Sequence, residues 1–448
     1  MPSPSDYASN EYRILYLCMV VNIFDDIASI FPSAKQLGKK HYCNLESPKC
    51  GKHLSFNQDF LTNQLFTHLI GVFTCEVPKV LNHWSQINVL QVNVVSLTLN
   101  YHYMQLPREV IVGKGTLHCV PEVAKRLGLR GKALVIAGPK SYDIAGRTIC
   151  GLLEQAGLQV DVLQIKAMTI KDMITIEERI EASKPQVLLG VGGGTIIDAA
   201  KISSGSQNIP FISVPTTVSH DGIASPLASI KGSDKPYSIL AQAPLAIIAD
   251  TEVIAQAPWR FVISGCGDVI AKITAVKDWK LAHLEQNEYY GEYAASLALM
   301  SAKLVIENAE LIVSRKDEGL HALLEALISC GVAMSIAGSS RPCSGSEHLF
   351  SHALDMFNSH HAMHGEQCGV GSILTAYLYR ANWQRIRSTL KQIGAPTTAR
   401  ELGVKDVDAV KALEAAAKIR PERYTILQKL NLNFEACEKT AKATGIID

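Results

Sequence analysis

Histidines crowd into one short stretch of this sequence. His348 and His352 are four residues apart, and His360, His361 and His364 follow, so five of the fourteen histidines lie within seventeen residues. At this spacing His348 and His352 share one face of a helix. Imidazoles are frequent ligands of divalent metals, and a site with one acid and two histidines leaves an open position on a catalytic Zn²⁺. The cluster predicts a metal site, and helical spacing alone favours His348 with His352 as ligands.

A glycine-rich turn indicates a second kind of binding site. The apolar run Val187–Val191 is followed by Gly192-Gly193-Gly194, after which Thr195-Ile196-Ile197-Asp198 starts a helical pattern. Glycine lets a phosphate approach the backbone without a Cβ in the way, and a helix N-terminus offers free N–H groups and a positive dipole end. Capping by Thr195 and Asp198 is the structural alternative, although three glycines exceed what a turn needs. The spacing is not the common dinucleotide fingerprint, so these residues predict only a phosphate or pyrophosphate site.

Two further polar features accompany these motifs. Pro215-Thr216-Thr217-Val218-Ser219-His220-Asp221-Gly222 follows the next strand candidate. It is expected at the carboxyl end of a sheet, where hydroxyl groups can donate to phosphate or ribose oxygens. A polar turn explains this segment almost as well. Asp268 starts a helical pattern, where its carboxylate is either a helix cap or the acidic partner of the histidines.

These residues must be positioned by regular elements, which become recognisable after about residue 104. Strand candidates at 133–137, 159–165, 187–191 and 211–214 alternate with helical patterns at 144–155, 174–182 and 196–203. This alternation predicts a doubly wound parallel sheet. Beyond about Thr251 long helical patterns take over, at 268–280, 290–312, 320–336 and 346–357. We therefore predict an N-terminal Rossmann-like α/β domain over 104–262 and an all-helical domain over 263–448, with the active site in the cleft between them.

Residues 1–103 have no sustained periodicity, and we expect an extension that is disordered or that precedes a native start at Met104. A zinc site from His41, Cys43, Cys50 and His53 has no familiar spacing. The apolar run Ile14–Phe24 is too short to span a membrane and lacks the features of a signal peptide.

Composition narrows the class of protein. With 47% hydrophobic and 19% charged residues, the chain can bury a large core. The net charge of +1 gives no overall attraction for nucleic acid or for an anionic membrane. Eleven scattered cysteines indicate reduced thiols rather than a disulfide framework. The expectation is a cytoplasmic protein without membrane insertion or a nucleic-acid partner.

Taken in order, the motifs resemble the iron/zinc-dependent polyol dehydrogenase and dehydroquinate synthase superfamily, and within it the archaeal sn-glycerol-1-phosphate dehydrogenase family. The resemblance covers about residues 104–448 and begins at Leu106-Pro107-Arg108-Glu109-Val110. It continues through Gly138-Pro139-Lys140, the two motifs at 192–198 and 215–226, Gly267-Asp268, the segment 345–355, and His364-Gly365-Glu366. It implies a dehydroquinate synthase-like fold, α/β followed by all-α.

The resemblance also implies roles for individual residues. NAD or NADP would lie against Gly194, Thr195, Ile196, Ile197, Asp198, Thr216, Thr217, Val218, Ser219 and Ser225. One Zn²⁺ would be held by Asp268, His348 and His364, so that His364 replaces the His352 favoured by helical spacing. Substrate would contact Asp221, Asp268 and His352, with Asp221 and His352 catalytic. No clear residue reads the cofactor ribose, for which Asp161 is a weak candidate.

The implied reaction is the reversible reduction of dihydroxyacetone phosphate to sn-glycerol 1-phosphate by NAD(P)H, for archaeal membrane phospholipid backbones. Zn²⁺ would polarise the carbonyl, and His352 could relay the proton. Lys272 and Arg341 are candidates for binding the phosphate because they are near the motifs. Alternatives are a glycerol dehydrogenase acting on an unphosphorylated polyol, a dehydroquinate synthase, and a non-catalytic nucleotide-binding relative. The sequence does not give the oligomeric state, and a homo-oligomer is one of the alternatives left open.

Overall fold

The computed structural model describes residue 102 and residues 104–231, 236–357 and 362–448. The alternative zinc site at residues 41–53, the run Ile14–Phe24, and His360 and His361 lie outside the described residues. All described residues belong to one compact unit. The predicted boundaries at residues 103 and 262 stay predictions.

Six strands form one parallel sheet, as the alternating pattern predicts. The strands are β1 Glu109–Gly113, β2 Lys132–Ala137, β3 Gln159–Gln164, β4 Val187–Gly192, β5 Phe211–Pro215 and β8 Ala246–Asp250, in the order β1-β8-β5-β4-β2-β3. Every neighbouring pair is parallel. β6 Leu227–Lys231 and β7 Pro236–Leu240 form a separate antiparallel pair. The sequence did not predict β1, β6, β7 or β8.

Burial of the sheet on both faces explains its apolar strands. Leu134 and Ile136 of β2 pack in one core cluster with Ile197, whereas the alternate residue Val135 packs in another with Ile149. Strands buried on both faces are near-continuous apolar runs rather than alternating ones. Four helices cover these faces: α1 Val120–Arg126, α2 Arg147–Gln155, α3 Ile170–Ser183 and α4 Gly194–Gln207.

Helices dominate after β8, as predicted, and share one large apolar core. They are α5 Thr251–Ala255, α6 Arg260–Gln286, α7 Glu292–Glu307, α8 Ala309–Val313, α9 Asp317–Ala337, α10 Ser346–Phe357, α11 His364–Leu378, α12 Trp383–Ile393, α13 Asp406–Ile419, α14 Ile426–Leu430 and α15 Phe434–Ala443. Among the described residues, one helix, α9, has the length and mean hydropathy (1.7) to cross a membrane. However, 78% of its apolar window is buried inside the protein, as in a core helix.

Two predicted helix starts are wrong. α6 begins at Arg260, so Asp268 lies in the helix interior and is not a cap. The N-cap of α4 is Gly193, so Thr195 and Asp198 lie within the first turns and do not cap the helix. In α6 the error comes from Gly265 and Gly267, which resemble a turn before a helix. They instead lie inside the helix, where a Cβ would meet the carbonyl oxygens of Val218 and Gly365 at 2.1 and 2.2 Å.

Candidate functional site

Three helices bring four candidate ligand side chains together. Asp268 comes from the middle of α6, His348 from the first turn of α10, and His364 and Cys368 from the start of α11. One ligand atom from each of these four residues lies within 4.8 Å of all the others. His352 is not a member of this group. The arrangement therefore brings the three predicted ligands together and adds Cys368, which the sequence did not predict.

Hydrogen bonds orient both imidazoles of the cluster. His348 Nδ1 lies 2.9 Å from Glu347 Oε1, and His364 Nδ1 lies 3.0 Å from Ser351 Oγ. Ser351 Oγ donates its own hydrogen to Gln367 Oε1 at 2.6 Å, so it accepts the Nδ1 hydrogen of His364. This leaves Nε2 as the atom of each ring that could bind a metal, and such partners commonly fix metal-binding histidines. The donor set, one carboxylate, two imidazoles and a thiol, suits Zn²⁺.

A fully buried lysine links the two acids of the site. Lys272 Nζ lies 2.8 Å from both Asp268 Oδ1 and Asp221 Oδ2, and Asp268 Oδ2 accepts the Asp221 N–H at 3.0 Å. Burial opposes ionisation, but the Lys272 ammonium and His348 hold the pKa of Asp268 well below its usual range. Asp268 is therefore an anion and can act as a ligand. Lys272 is occupied by these acids and is a poor candidate for binding a substrate phosphate.

The pKa values of the two candidate ligand histidines shift in opposite directions. Burial lowers the pKa of His364 well below its usual range, so its ring is neutral. Burial acts the same way on His348, but Cys368, Asp268 and Glu347 outweigh it and raise the pKa of His348 well above its usual range. Since histidine binds metals in its neutral form, a metal must displace one proton from His348.

His352 lies beside the cluster, with its ring centroid 6.0 Å from that of His364. It is 8% exposed, and no described atom is a partner for its buried Nδ1. Burial and the charges of Arg420, His348 and Arg423 lower its pKa to about 3, so the ring is neutral. A buried ring nitrogen without a hydrogen-bond partner is uncommon, and a bound ligand would supply the missing partner.

Three arginines, Arg341, Arg420 and Arg423, lie near the start of α10. Arg341 pairs with the carboxylate of Glu288 and donates to Tyr424 O at 3.0 Å, so its charge is already balanced. Arg423 donates to Ser344 O and Ser340 Oγ, both at 2.6 Å. Burial, with repulsion from Arg420 and Arg341, lowers the pKa of Arg423 to about 9. The sequence analysis missed Arg420 and Arg423, whose only signal was their position in Arg420-Pro421-Glu422-Arg423 between two helices.

The predicted cofactor motifs lie side by side, because β4 and β5 are neighbours and Gly192 pairs with Pro215. No side chain caps α4, so its first N–H groups are available to an anion. Gly194 faces His220, whose Nδ1 accepts the Gly222 N–H at 3.0 Å. The Nε2 of His220 therefore carries the hydrogen and points at this turn.

The remaining predicted cofactor residues differ in accessibility. Thr195 is exposed and Thr217 half-buried, whereas the others are buried: Ile196, Ile197, Asp198, Thr216, Val218, Ser219 and Ser225. Asp198 is tied to Lys201 Nζ at 2.9 Å and to Ser229 N at 3.1 Å, and Ser225 Oγ donates to Leu227 O. These side chains hold the loops together. The weak ribose candidate Asp161 pairs with Arg179 at 3.1 Å.

Known proteins resemble this chain over most of its length. The iron-containing alcohol dehydrogenase family model matches residues 111–258. A glycerol-1-phosphate dehydrogenase (NAD(P)+) of Thermococcus kodakarensis is 53% identical over 352 residues, which cover 77% of this chain and 99% of the relative. The enzyme of the same name from Methanosarcina mazei is 50% identical over 357 residues, 79% of this chain and all of the relative.

Solved structures support the fold. Glycerol dehydrogenase from Schizosaccharomyces pombe superposes with a TM-score of 0.65 at 22% identity, covering 77% of this chain and 91% of that one. NADH-dependent butanol dehydrogenase A from Thermotoga maritima gives 0.59 at 18% identity, covering 77% and 100%. The predicted architecture, a parallel sheet followed by helices as in these dehydrogenases, is confirmed.

Proposed function

Because the chain belongs to the glycerol-1-phosphate dehydrogenase family, we propose that it reduces dihydroxyacetone phosphate to sn-glycerol 1-phosphate with NADH or NADPH. The observation that carries this proposal is 53% identity over 99% of a relative that bears that name. The reaction consumes one hydride from the nicotinamide and one proton, and the reverse oxidation returns them. We extend the proposal to a cytoplasmic enzyme that supplies glycerol phosphate for membrane lipids, with the domain division near residue 262.

The proposed metal ligands are Asp268, His348 and His364. A bound Zn²⁺ supplies Lewis acidity that stabilises negative charge developing on the substrate oxygen. Glu347 and Ser351 orient the two imidazoles through their Nδ1 atoms. Lys272 keeps Asp268 ionised and holds Asp221 in place. These contacts support a preorganised site, whose groups need no rearrangement when the substrate binds.

The proposed substrate contacts are Asp221 and His352. Asp221 is partly exposed and can accept a hydrogen bond from a substrate hydroxyl. His352 is neutral, so one ring nitrogen can donate a hydrogen bond and the other can accept one. We propose that Arg423, with Arg420 beside it, binds the phosphate of the substrate. A phosphate would offset the repulsion between these two cations and would form charge-assisted hydrogen bonds with them.

The cofactor phosphates fit the uncapped N-terminus of α4, where Gly193 and Gly194 leave the backbone accessible and His220 Nε2 adds a donor. Thr195 and Thr217 are the accessible hydroxyls of the two motifs. This assignment supports binding of the nicotinamide cofactor at the carboxyl edge of β4 and β5, where open α/β sheets bind nucleotides.

The substrate assignment is tested by comparing dihydroxyacetone phosphate with unphosphorylated dihydroxyacetone in an NADH-oxidation assay. Two charge-assisted contacts at about 1.5–3 kcal/mol each predict a preference for the phosphorylated ketone of about 100-fold or more in kcat/KM. Enantiomer analysis of the product should identify sn-glycerol 1-phosphate. Equal or faster turnover of dihydroxyacetone would reject the phosphate specificity and favour a polyol dehydrogenase.

A further inference from the structure

Lys201 is a fully buried lysine that has no role in the function described above. It lies in α4, two helical turns after Gly194, and its side chain is 0% exposed. Its ammonium group has three hydrogens and three acceptors: Asp198 Oδ1 at 2.9 Å, the Gly222 carbonyl oxygen at 2.8 Å and the Leu227 carbonyl oxygen at 2.7 Å. Lys201 therefore joins α4 to the segment that connects β5 with β6.

Stability alone does not explain a buried ion pair at this place. Removing charges from water is costly, and well-packed apolar side chains of similar volume are often at least as stable as a buried ion pair. Asp198 adds a further contact, because its Oδ2 accepts the Ser229 N–H of β6 at 3.1 Å. Lys201 and Asp198 together thus bind the backbone at Gly222, Leu227 and Ser229. Apolar side chains could not make these contacts, which specify one conformation of the segment.

The Gly222 contact lies next to two residues of the proposed site, His220 and Asp221. The Gly222 N–H donates to His220 Nδ1 at 3.0 Å, and a Cβ added to Gly194 would lie 2.1 Å from His220 Nε2. The Asp221 N–H donates to Asp268 Oδ2 at 3.0 Å. His220 therefore lies against the N-terminus of α4, and Asp221 lies against α6. Lys201 holds the residue that follows both of them.

We propose that Lys201 is a positioning residue, which holds Gly222 so that His220 is placed against the cofactor and Asp221 against the substrate. The proposal rests on the proposed function, in which these two residues contact the two reactants. Hydride transfer needs a fixed relation between the nicotinamide and the carbonyl carbon, and a displacement of about 1 Å caused by a distant change can lower the rate roughly 100-fold. Lys201 acts only through this segment, because its side chain is fully buried and its three hydrogens are already bound.

The test is Lys201→Met in the full-length protein, a change that keeps the length of the side chain and removes its hydrogen-bond donors. Deuterium exchange of the cofactor-free protein, followed by mass spectrometry, should be faster in peptides that cover residues 219–229. The dissociation constant for NADH, from fluorescence titration, should rise about 10-fold or more, because His220 is no longer held as a donor to the cofactor phosphate. The kcat should fall roughly 100-fold with both dihydroxyacetone phosphate and dihydroxyacetone.

Asp250→Asn is the matched control for a buried charge. Asp250 is 3% exposed and accepts the N–H groups of Gly115 and Leu117, which lie outside the Lys201 contacts. This control should lower the midpoint of urea unfolding but keep the wild-type exchange at residues 219–229 and the wild-type NADH affinity. The double variant Asp198→Asn/Lys201→Met leaves no unpaired buried charge and should repeat the losses of Lys201→Met. It decides the question if the single variant does not fold.

The outcomes separate this proposal from the proposed function. Wild-type exchange at residues 219–229 in the folded variant would overturn the link between Lys201 and this segment. Faster exchange with unchanged NADH affinity and kcat would also overturn the proposal, since Lys201 would then have only a structural role. Wild-type protein that binds NADH but reduces neither ketone rejects the proposed function, and exchange and NADH affinity still decide the role of Lys201. Wild-type protein that binds no NADH overturns both.

Discussion

Gly365 of α11 lies directly against the backbone of Ser264 in α6. A Cβ added to Gly365 would stand 1.8 Å from the Ser264 carbonyl oxygen, and the Gly365 N–H donates to Ser264 Oγ at 3.2 Å. Gly267 continues the contact, since its Cβ would lie 2.2 Å from the Gly365 carbonyl oxygen. The two helices therefore meet backbone to backbone. This contact holds Asp268 beside His364, although the two residues are distant in sequence.

Gly365→Ala should separate the two helices. The added methyl group cannot fit at 1.8 Å, so we expect a loss of about 1–3 kcal/mol in the free energy of unfolding. We also expect weaker metal binding, because Asp268 and His364 move apart. Urea unfolding of the metal-free protein and metal analysis of the loaded protein measure the two effects.

Gly151→Ala on α2 is the matched control for this change. A Cβ there meets nothing within 4 Å, so alanine should be neutral or slightly stabilising. If Gly365→Ala matched wild type in both stability and metal content, the close contact between α6 and α11 would not be what positions the site.

Much of the sheet could be predicted from the sequence because buried parallel strands are apolar and are separated by amphipathic helices. β2, β4 and β5 were found in this way. The proposed metal ligands could not be predicted by periodicity. Helical spacing selects His348 with His352, whereas His364 reaches the site from a different helix, and only the ordered family motifs indicated it. A local pattern does not record which helices meet in the tertiary structure.

The glycines of α6 illustrate the same limit. Gly265 and Gly267 indicate a turn when only the local sequence is considered. In the fold they allow close contact with the backbones of Val218 and Gly365, which are distant in sequence. The positions of Cys368 and Arg423 near the site could not be predicted for a related reason. Each is a single residue without a periodic partner, and its neighbours are supplied by the fold.

Gly194→Ala should weaken cofactor binding. A Cβ at residue 194 would lie 2.1 Å from Nε2 of His220, whose ring is held by the Gly222 N–H. It would also occupy the proposed phosphate site at the N-terminus of α4. We expect the dissociation constant for NADH to rise by at least about 10-fold, or about 1.4 kcal/mol. Gly205→Ala on the same helix is the control, because its nearest contact is 3.5 Å. Equal NADH affinity in the two variants, measured by fluorescence titration, would argue against a phosphate site at the N-terminus of α4.

Arg423→Gln should affect only the phosphorylated substrate. Loss of one charge-assisted contact of about 1.5–3 kcal/mol predicts a fall of about 10-fold to 150-fold in kcat/KM for dihydroxyacetone phosphate. The slow turnover of dihydroxyacetone should stay unchanged. Arg387→Gln is the control, because Arg387 also donates to backbone carbonyls, those of Thr444 and Gly445. Parallel losses with both ketones would mean that Arg423 supports the structure and does not bind phosphate.

The zinc content of His364→Ala tests the central claim most directly. After identical loading and gel filtration, wild type and the control variant His321→Ala, whose side chain is 41% exposed, should each hold about one zinc ion per chain. His364→Ala should hold almost none, because His364 supplies one of the three proposed ligands and cannot be replaced from α10. A His364→Ala protein that retains the full zinc content and reduces dihydroxyacetone phosphate at the wild-type rate would contradict the assignment of this site.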